Sequence, residues 1–160
     1  MKSWLFSVFL SFLWISSQVY GQQFQKMKDI FPEKNLPFEL NGAVKPSVRP
    51  LHPSLKAQFS GVGENDVVYP IGKLAINPGI FAYTWIQESG GKYYTWISVF
   101  NEQAVKVLNT YNLTKQANTN RFKFKANQMQ NSQIGLIIET ANGSWKYGYN
   151  KASNTWSLTK

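Results

Sequence analysis

The sequence predicts an all-β fold: an antiparallel meander forming a small sandwich or open barrel, preceded by an extended, proline-rich segment. Three observations carry that expectation. From Val67 onward apolar and polar residues alternate, the period of a strand whose successive side chains point to opposite faces. The alternating runs are joined by short turn clusters, Asn77-Pro78-Gly79, Ser89-Gly90-Gly91-Lys92, Ala141-Asn142-Gly143-Ser144 and residues 151–154, and short turns make neighbouring strands antiparallel. Upstream, residues 22–66 hold five of the seven prolines; proline fixes its own backbone and disfavours helix in the residue before it.

In chain order, residues 1–21 have the layout of a secretory signal peptide. Met1-Lys2 gives a positive start, Trp4 to Ile15 is an unbroken apolar run, and small residues stand at Val19 and Gly21. The run is shorter than the roughly 20 apolar residues of a spanning helix, so an uncleaved anchor is the weaker reading. The mature chain then begins at Gln22, with no membrane span left. It carries 16 basic and 8 acidic side chains and no cysteine. An exported chain without cysteine has neither disulfides nor a thiolate metal site, so its fold rests on packing. The expected compartment is the periplasm or the exterior.

Residues 22–66 read as extended and partly disordered, above all from Asn41 to Asn65. Within them Ile30, Phe31, Leu36, Phe38 and Leu40 make an apolar piece suited to lie along the main domain as an edge segment. Residues 67–160 form the β domain. Strands are expected over 68–76, 80–88, 93–101, 104–113, 121–126, 134–140, 145–150 and 155–159. A Gly90-Gly91 turn places Trp85 opposite Trp96 and Phe81 opposite Phe100. An Asn142-Gly143 type I′ turn places Glu139 opposite Lys146 and Ile138 opposite Tyr147.

The first of these hairpins is apolar on both faces. Phe81, Tyr83, Trp85, Tyr94, Trp96 and Phe100 share one face; Ile80, Ala82, Ile86, Tyr93, Ile97 and Val99 share the other. Strands buried on both sides read this way, and residues 24–40 would then cover the aromatic face. The competing account leaves that face open as a stacking platform, with Tyr83, Trp85, Tyr94 and Trp96 as ligand-binding residues for a glycan. If the pair is core, truncation is expected to cost more at Trp96 than at Trp85, which lies nearer the turn.

The succession YPIGKLAIN (69–77), hydrophobic hairpin, WISVFNEQAVKVLNTYNL (96–113) and closing WKYGYNKASNTWSL (145–158) resembles small exported β proteins abundant in Bacteroidota. The resemblance covers residues 67–160 and departs at Glu102-Gln103-Ala104, where glycine is usual. It implies compartment and fold; it supplies no activity, cofactor or site residue.

Catalysis is poorly provisioned. His52 is the single histidine and lies between prolines, which suits a solvated loop. Without cysteine, neither a transition-metal site nor a Cys-His nucleophile is expected, and no cofactor fingerprint occurs. The expectation is therefore a non-catalytic binding or scaffolding module of the envelope or exterior. The alternatives are a small polysaccharide hydrolase or lyase using Glu88 and Glu102, and a secreted enzyme inhibitor. Glu64-Asn65-Asp66 could offer oxygens to calcium, but the ligand series stops there. In Arg121-Phe122-Lys123-Phe124-Lys125 the cations share one strand face. They either solubilise the strand and guard an edge or, with Lys115 and Lys146, bind an anionic envelope polymer; export makes nucleic acid a poor partner. Asn112-Leu113-Thr114 and Asn142-Gly143-Ser144 match the glycan acceptor pattern, which matters only in a eukaryotic secretory pathway.

Overall fold

The structure, a computed structural model, describes residues 28–128 and 134–160. The expected signal peptide at 1–21 lies outside the described residues. The chain divides into two compact units, 1–30 and 31–160, and the second is an all-β open sandwich of two five-stranded sheets. Its strands are β1 (Glu33–Lys34), β2 (Phe38–Asn41), β3 (Val67–Asn77), β4 (Ile80–Ser89), β5 (Lys92–Asn101), β6 (Lys106–Asn112), β7 (Arg121–Gln128), β8 (Ile134–Thr140), β9 (Gly143–Asn150) and β10 (Thr155–Thr159).

Two successive meanders make the two sheets. β3 to β6 form the first and β7 to β10 the second, each with antiparallel neighbours. The proline-rich segment completes both: β1 adds to β3 in parallel, and β2 adds to β7 antiparallel. The apolar piece at 30–40 thus serves as an edge, once in each sheet. Between the sheets lie Leu74, Ile76, Ala82, Ile97 and Val99 from the first, and Phe122, Phe124, Leu136, Ile138 and Tyr147 from the second. On the far side the two free edges are sealed by side chains. Asn109 Nδ2 donates to the Trp156 carbonyl at 2.6 Å, and the Leu158 amide donates to the Tyr111 hydroxyl at 3.2 Å. Backbone groups of β10 that could template a further strand are thereby occupied.

Two single-turn helices interrupt the strands, α1 (Pro53–Lys56) and α2 (Leu113–Ala117). α2 is specified by its ends. Asn112 caps it through a side-chain bond from the Lys115 amide, and Asn118 closes it at φ 49°, a left-handed conformation that asparagine tolerates.

The β4–β5 register is the expected one, with Trp85 opposite Trp96 and Phe81 opposite Phe100. The β8–β9 register differs. Thr140 pairs with Gly143, Glu139 faces Ser144 and Ile138 faces Trp145, so the loop is Ala141-Asn142. Neither loop residue has the positive φ of a type I′ turn; Gly143 alone departs, at φ 134°. The Asn142 amide is drawn instead to the Ala117 carbonyl, 2.9 Å away. Each partner has moved by two positions, an even shift, so the faces keep their composition.

Candidate functional site

The aromatic face of β4 and β5 is closed. Trp85 is 0 % exposed and Tyr83 3 %. Phe59 meets Trp85 edge-on at 4.8 Å between centroids, and Phe31 meets Tyr83 edge-on at 4.9 Å. Trp85 and Trp96 stack at 5.0 Å. Leu51 and Leu55 of the same covering strap are also buried. The cover therefore comes from Phe31, within the expected segment 24–40, and from residues 51–61, a stretch expected as partly disordered. Of the four residues expected to bind a ligand, Tyr83 and Trp85 are interior, while Tyr94 and Trp96 are half-buried. Tyr94 carries the Lys115 ammonium 5.8 Å from its ring centroid.

Gln87, 6 % exposed, latches the strap to the sheet. Its amide nitrogen donates to the Gly61 carbonyl at 3.1 Å and to Asp66 Oδ2 at 2.7 Å, and its oxygen accepts from the Trp96 indole at 2.8 Å. Gly61 adopts φ 82°, and a Cβ there would stand 2.8 Å from the Trp96 ring; the strap can pass this close only as glycine. The Asp66 carboxylate also accepts from the Gly63 amide at 2.6 Å. It serves the latch, and hydrogen bonding from Ser89 foremost, then from Gly63, holds its pKa below the usual value.

Glu88 and Glu102 are not brought together. Glu88 stands beside the Gly90-Gly91 turn, paired with Tyr93, while Glu102 follows Asn101 at the opposite end of the hairpin. Some eight residues of strand separate the two ends, roughly 25 Å, against the 5 to 10 Å a glycosidase pair needs. Each has a different partner. Glu88 accepts from the Tyr69 hydroxyl at 2.7 Å; burial, then that contact, pushes the Tyr69 pKa up to about 12. Glu102 takes Lys73 Nζ at 2.9 Å, and that buried ammonium also lies 3.8 Å from the Phe81 ring centroid. His52 is exposed and caps α1, its Nδ1 accepting from the Ser54 amide at 3.2 Å. Thr114 of the first glycan triplet accepts from the Thr95 amide at 2.7 Å, and Asn142 of the second holds α2.

The outer face of the second sheet is open and laid out in rows set by the registers. Asn41 and Arg121 form the first row; Glu39, Lys123, Glu139 and Ser144 the second; Lys125, Ile137, Lys146 and Thr159 the third. Arg121, Lys123 and Lys125 share this face as expected, and Lys146 joins them; Lys115 does not, being held near Tyr94. β7 runs between β2 and β8, so Arg121 and Lys123 guard no edge. Lys123 pairs with Glu39 at 3.3 Å and Lys125 with Glu139 at 2.8 Å. Among the described residues no carboxylate pairs with Arg121. Two shallow depressions mark the face. One of about 620 Å³ lies among Glu39, Asn41, Arg121, Lys123 and Glu139. The other, about 350 Å³, lies diagonally across among Asn127, Lys146, Asn150, Lys151 and Ser157.

Beyond Glu102 the chain has eight basic residues and one acid, Glu139, and four of the eight, Arg121, Lys123, Lys125 and Lys146, stand in these rows with Glu39 and Glu139 among them. The sequence signal for Lys123 and Lys125 was strand alternation; that for their carboxylate partners needed the sheet order, because Glu39 reaches β7 only through β2. No protein-family model, no curated protein and no solved structure matches the chain.

Proposed function

We propose that the chain is an exported, non-catalytic binding module of the cell envelope or exterior that engages an envelope polymer through the open face of its second sheet. The observation that carries this reading is the segregation of surfaces: the aromatic face is closed by its strap, while Arg121, Lys123, Lys125 and Lys146 stand on a broad polar face. Export rests on the residue 1–21 pattern and on the resemblance to exported β proteins. The separation of Glu88 from Glu102, each engaged elsewhere, removes the carboxylate pair on which a hydrolase would have drawn.

The test is co-sedimentation of the mature chain, residues 22–160, with an insoluble envelope fraction of a bacterium that exports it. Binding at about 0.15 M salt that weakens toward 1 M is expected, because exposed charge interactions are screened over about 8 Å at the lower and 3 Å at the higher concentration. No sedimentation at either concentration would refute the reading. A matching mass measurement on exported protein should find a chain starting at Gln22 or Gln23.

A further inference from the structure

We infer that the polymer engaged by this face, if the module reading holds, is a sparsely charged acidic polysaccharide, one whose carboxylates are separated by neutral, hydroxyl-bearing sugar units. Lys123 and Lys125 are paired with Glu39 and Glu139, and the cations of these rows without a carboxylate partner among the described residues are spaced rather than clustered. Arg121 and Lys146 stand four residues apart along the strands, about 14 Å, and two strands apart across the sheet, about 10 Å. Around them, with Ile137 between Lys125 and Lys146, stand hydrogen-bonding groups of both kinds. Glu39 and Glu139 are acceptors; Asn41, Ser144 and Thr159 offer both donors and acceptors. Such a face matches a chain that presents hydroxyls at most positions and a negative charge at intervals.

Its composition also separates the other polyanions. Nucleic acid presents a charge at every backbone step, and Glu39 and Glu139 would be set against a phosphate run wherever it crossed the second row. A membrane surface calls for large apolar side chains beside the cations. Ile137, half-buried, is the one large apolar residue in these rows, and the exposed ones, Ile30, Val44, Val105 and Val107, lie outside them. The depressions lie at opposite corners, the second reaching Lys146 and Thr159 of the third row, so a linear ligand would run diagonally over β7, β8 and β9.

The decisive measurement is titration calorimetry of the mature chain with oligosaccharides in which a uronate alternates with a neutral sugar, and with their carboxyl-reduced, neutral counterparts. Binding of the acidic oligomers is expected, with a loss of about tenfold or more in the Arg121→Gln, Lys125→Gln, Lys146→Gln triple variant, the sum of three exposed charge contacts. Glu39→Gln with Glu139→Gln separates the partners. A sparse polysaccharide should bind that variant no more tightly than the parent, whereas a dense polyanion should bind it more tightly. Equal affinity of parent and triple variant for the oligomers would overturn the inference. So would tighter binding of duplex DNA or of anionic phospholipid vesicles than of the alternating oligosaccharide. In each of those cases retention on the envelope fraction would still stand or fall separately.

Discussion

Replacing Trp85 by alanine measures how much of this fold the strap holds. Trp85 is 0 % exposed, stacked on Trp96, met edge-on by Phe59, and donates its indole N–H to Ser98 at 3.0 Å. Truncating a buried tryptophan costs about 3 to 5 kcal/mol, and the Ser98 hydroxyl keeps Thr110 at 3.2 Å, so its loss adds little. Spread over the roughly 2.1 cal/mol/K of unfolding entropy per residue, that lowers Tm by roughly 10 to 18 °C for the unit 31–160. Urea unfolding followed by circular dichroism gives the free energy, and a scan gives Tm. Trp96→Ala should cost less, because Trp96 is half-buried. This order reverses the one that the hairpin alone suggests, since distance from a turn says nothing about what covers the sheet. A loss below about 1 kcal/mol at Trp85, or a larger loss at Trp96, would refute the reasoning.

Other consequences concern the latch and the buried hydroxyls. Gln87→Ala removes three hydrogen bonds and should cost about 1 to 3 kcal/mol, with faster amide exchange over 61–66 and stronger acrylamide quenching of Trp96; unchanged exchange would mean that the strap is held by its apolar contacts alone. Asp66 has a depressed folded pKa, so its stabilisation is present above its ordinary value of 3.8 and is lost as pH falls through the folded value. Asp66→Asn should accordingly be less stable than the parent near pH 6, with the gap closing below about pH 4; a gap independent of pH would remove the carboxylate charge from the latch. Tyr69, Tyr83 and Tyr147 have raised pKa values, chiefly through burial. Their neutral form is the folded one, so stability is full below about pH 10 and falls above it. Ultraviolet titration should show these three phenols ionising only with unfolding, and a single transition near pH 10 for all tyrosines would contradict their burial.

Much of the fold was legible because it depends on neighbours in sequence. The β4–β5 register followed from Gly90-Gly91, both of which adopt positive φ, and from the pairing of like residues across it. The β8–β9 register did not follow from Asn142-Gly143, because the Asn142 side chain has a tertiary partner on α2 that competes with the turn. α2 itself has five residues, too few to show a helical period; its signal is in the flanking asparagines. The strap was hidden for a different reason. Phe31 belongs to the segment expected as cover, but Leu51, Leu55 and Phe59 are single apolar residues scattered through proline-rich chain, and only the aromatic surface opposite gives them a common purpose. On the candidate face the cations could be read from alternation, but their carboxylates arrive from β2 and β8, strands remote in sequence.

The two meanders differ in pattern because they differ in what covers them. The first sheet meets the second on one face and the strap on the other, so its central strands are apolar on both sides, as strands buried on two faces are. Leaving Tyr83, Trp85 and Phe100 uncovered would expose an apolar surface beyond the few hundred Å² that soluble monomers carry, and the strap covers Tyr83 and Trp85 from within the chain. The second sheet is covered once. β7 alternates cleanly, Phe122 and Phe124 inward and Arg121, Lys123 and Lys125 outward, and with Lys146 these cations stand on the side left over. Aromatic content therefore marks where this molecule is thickest, and charge marks where it is open. Among the described residues the broad face available to a large ligand is the one that the rings do not occupy.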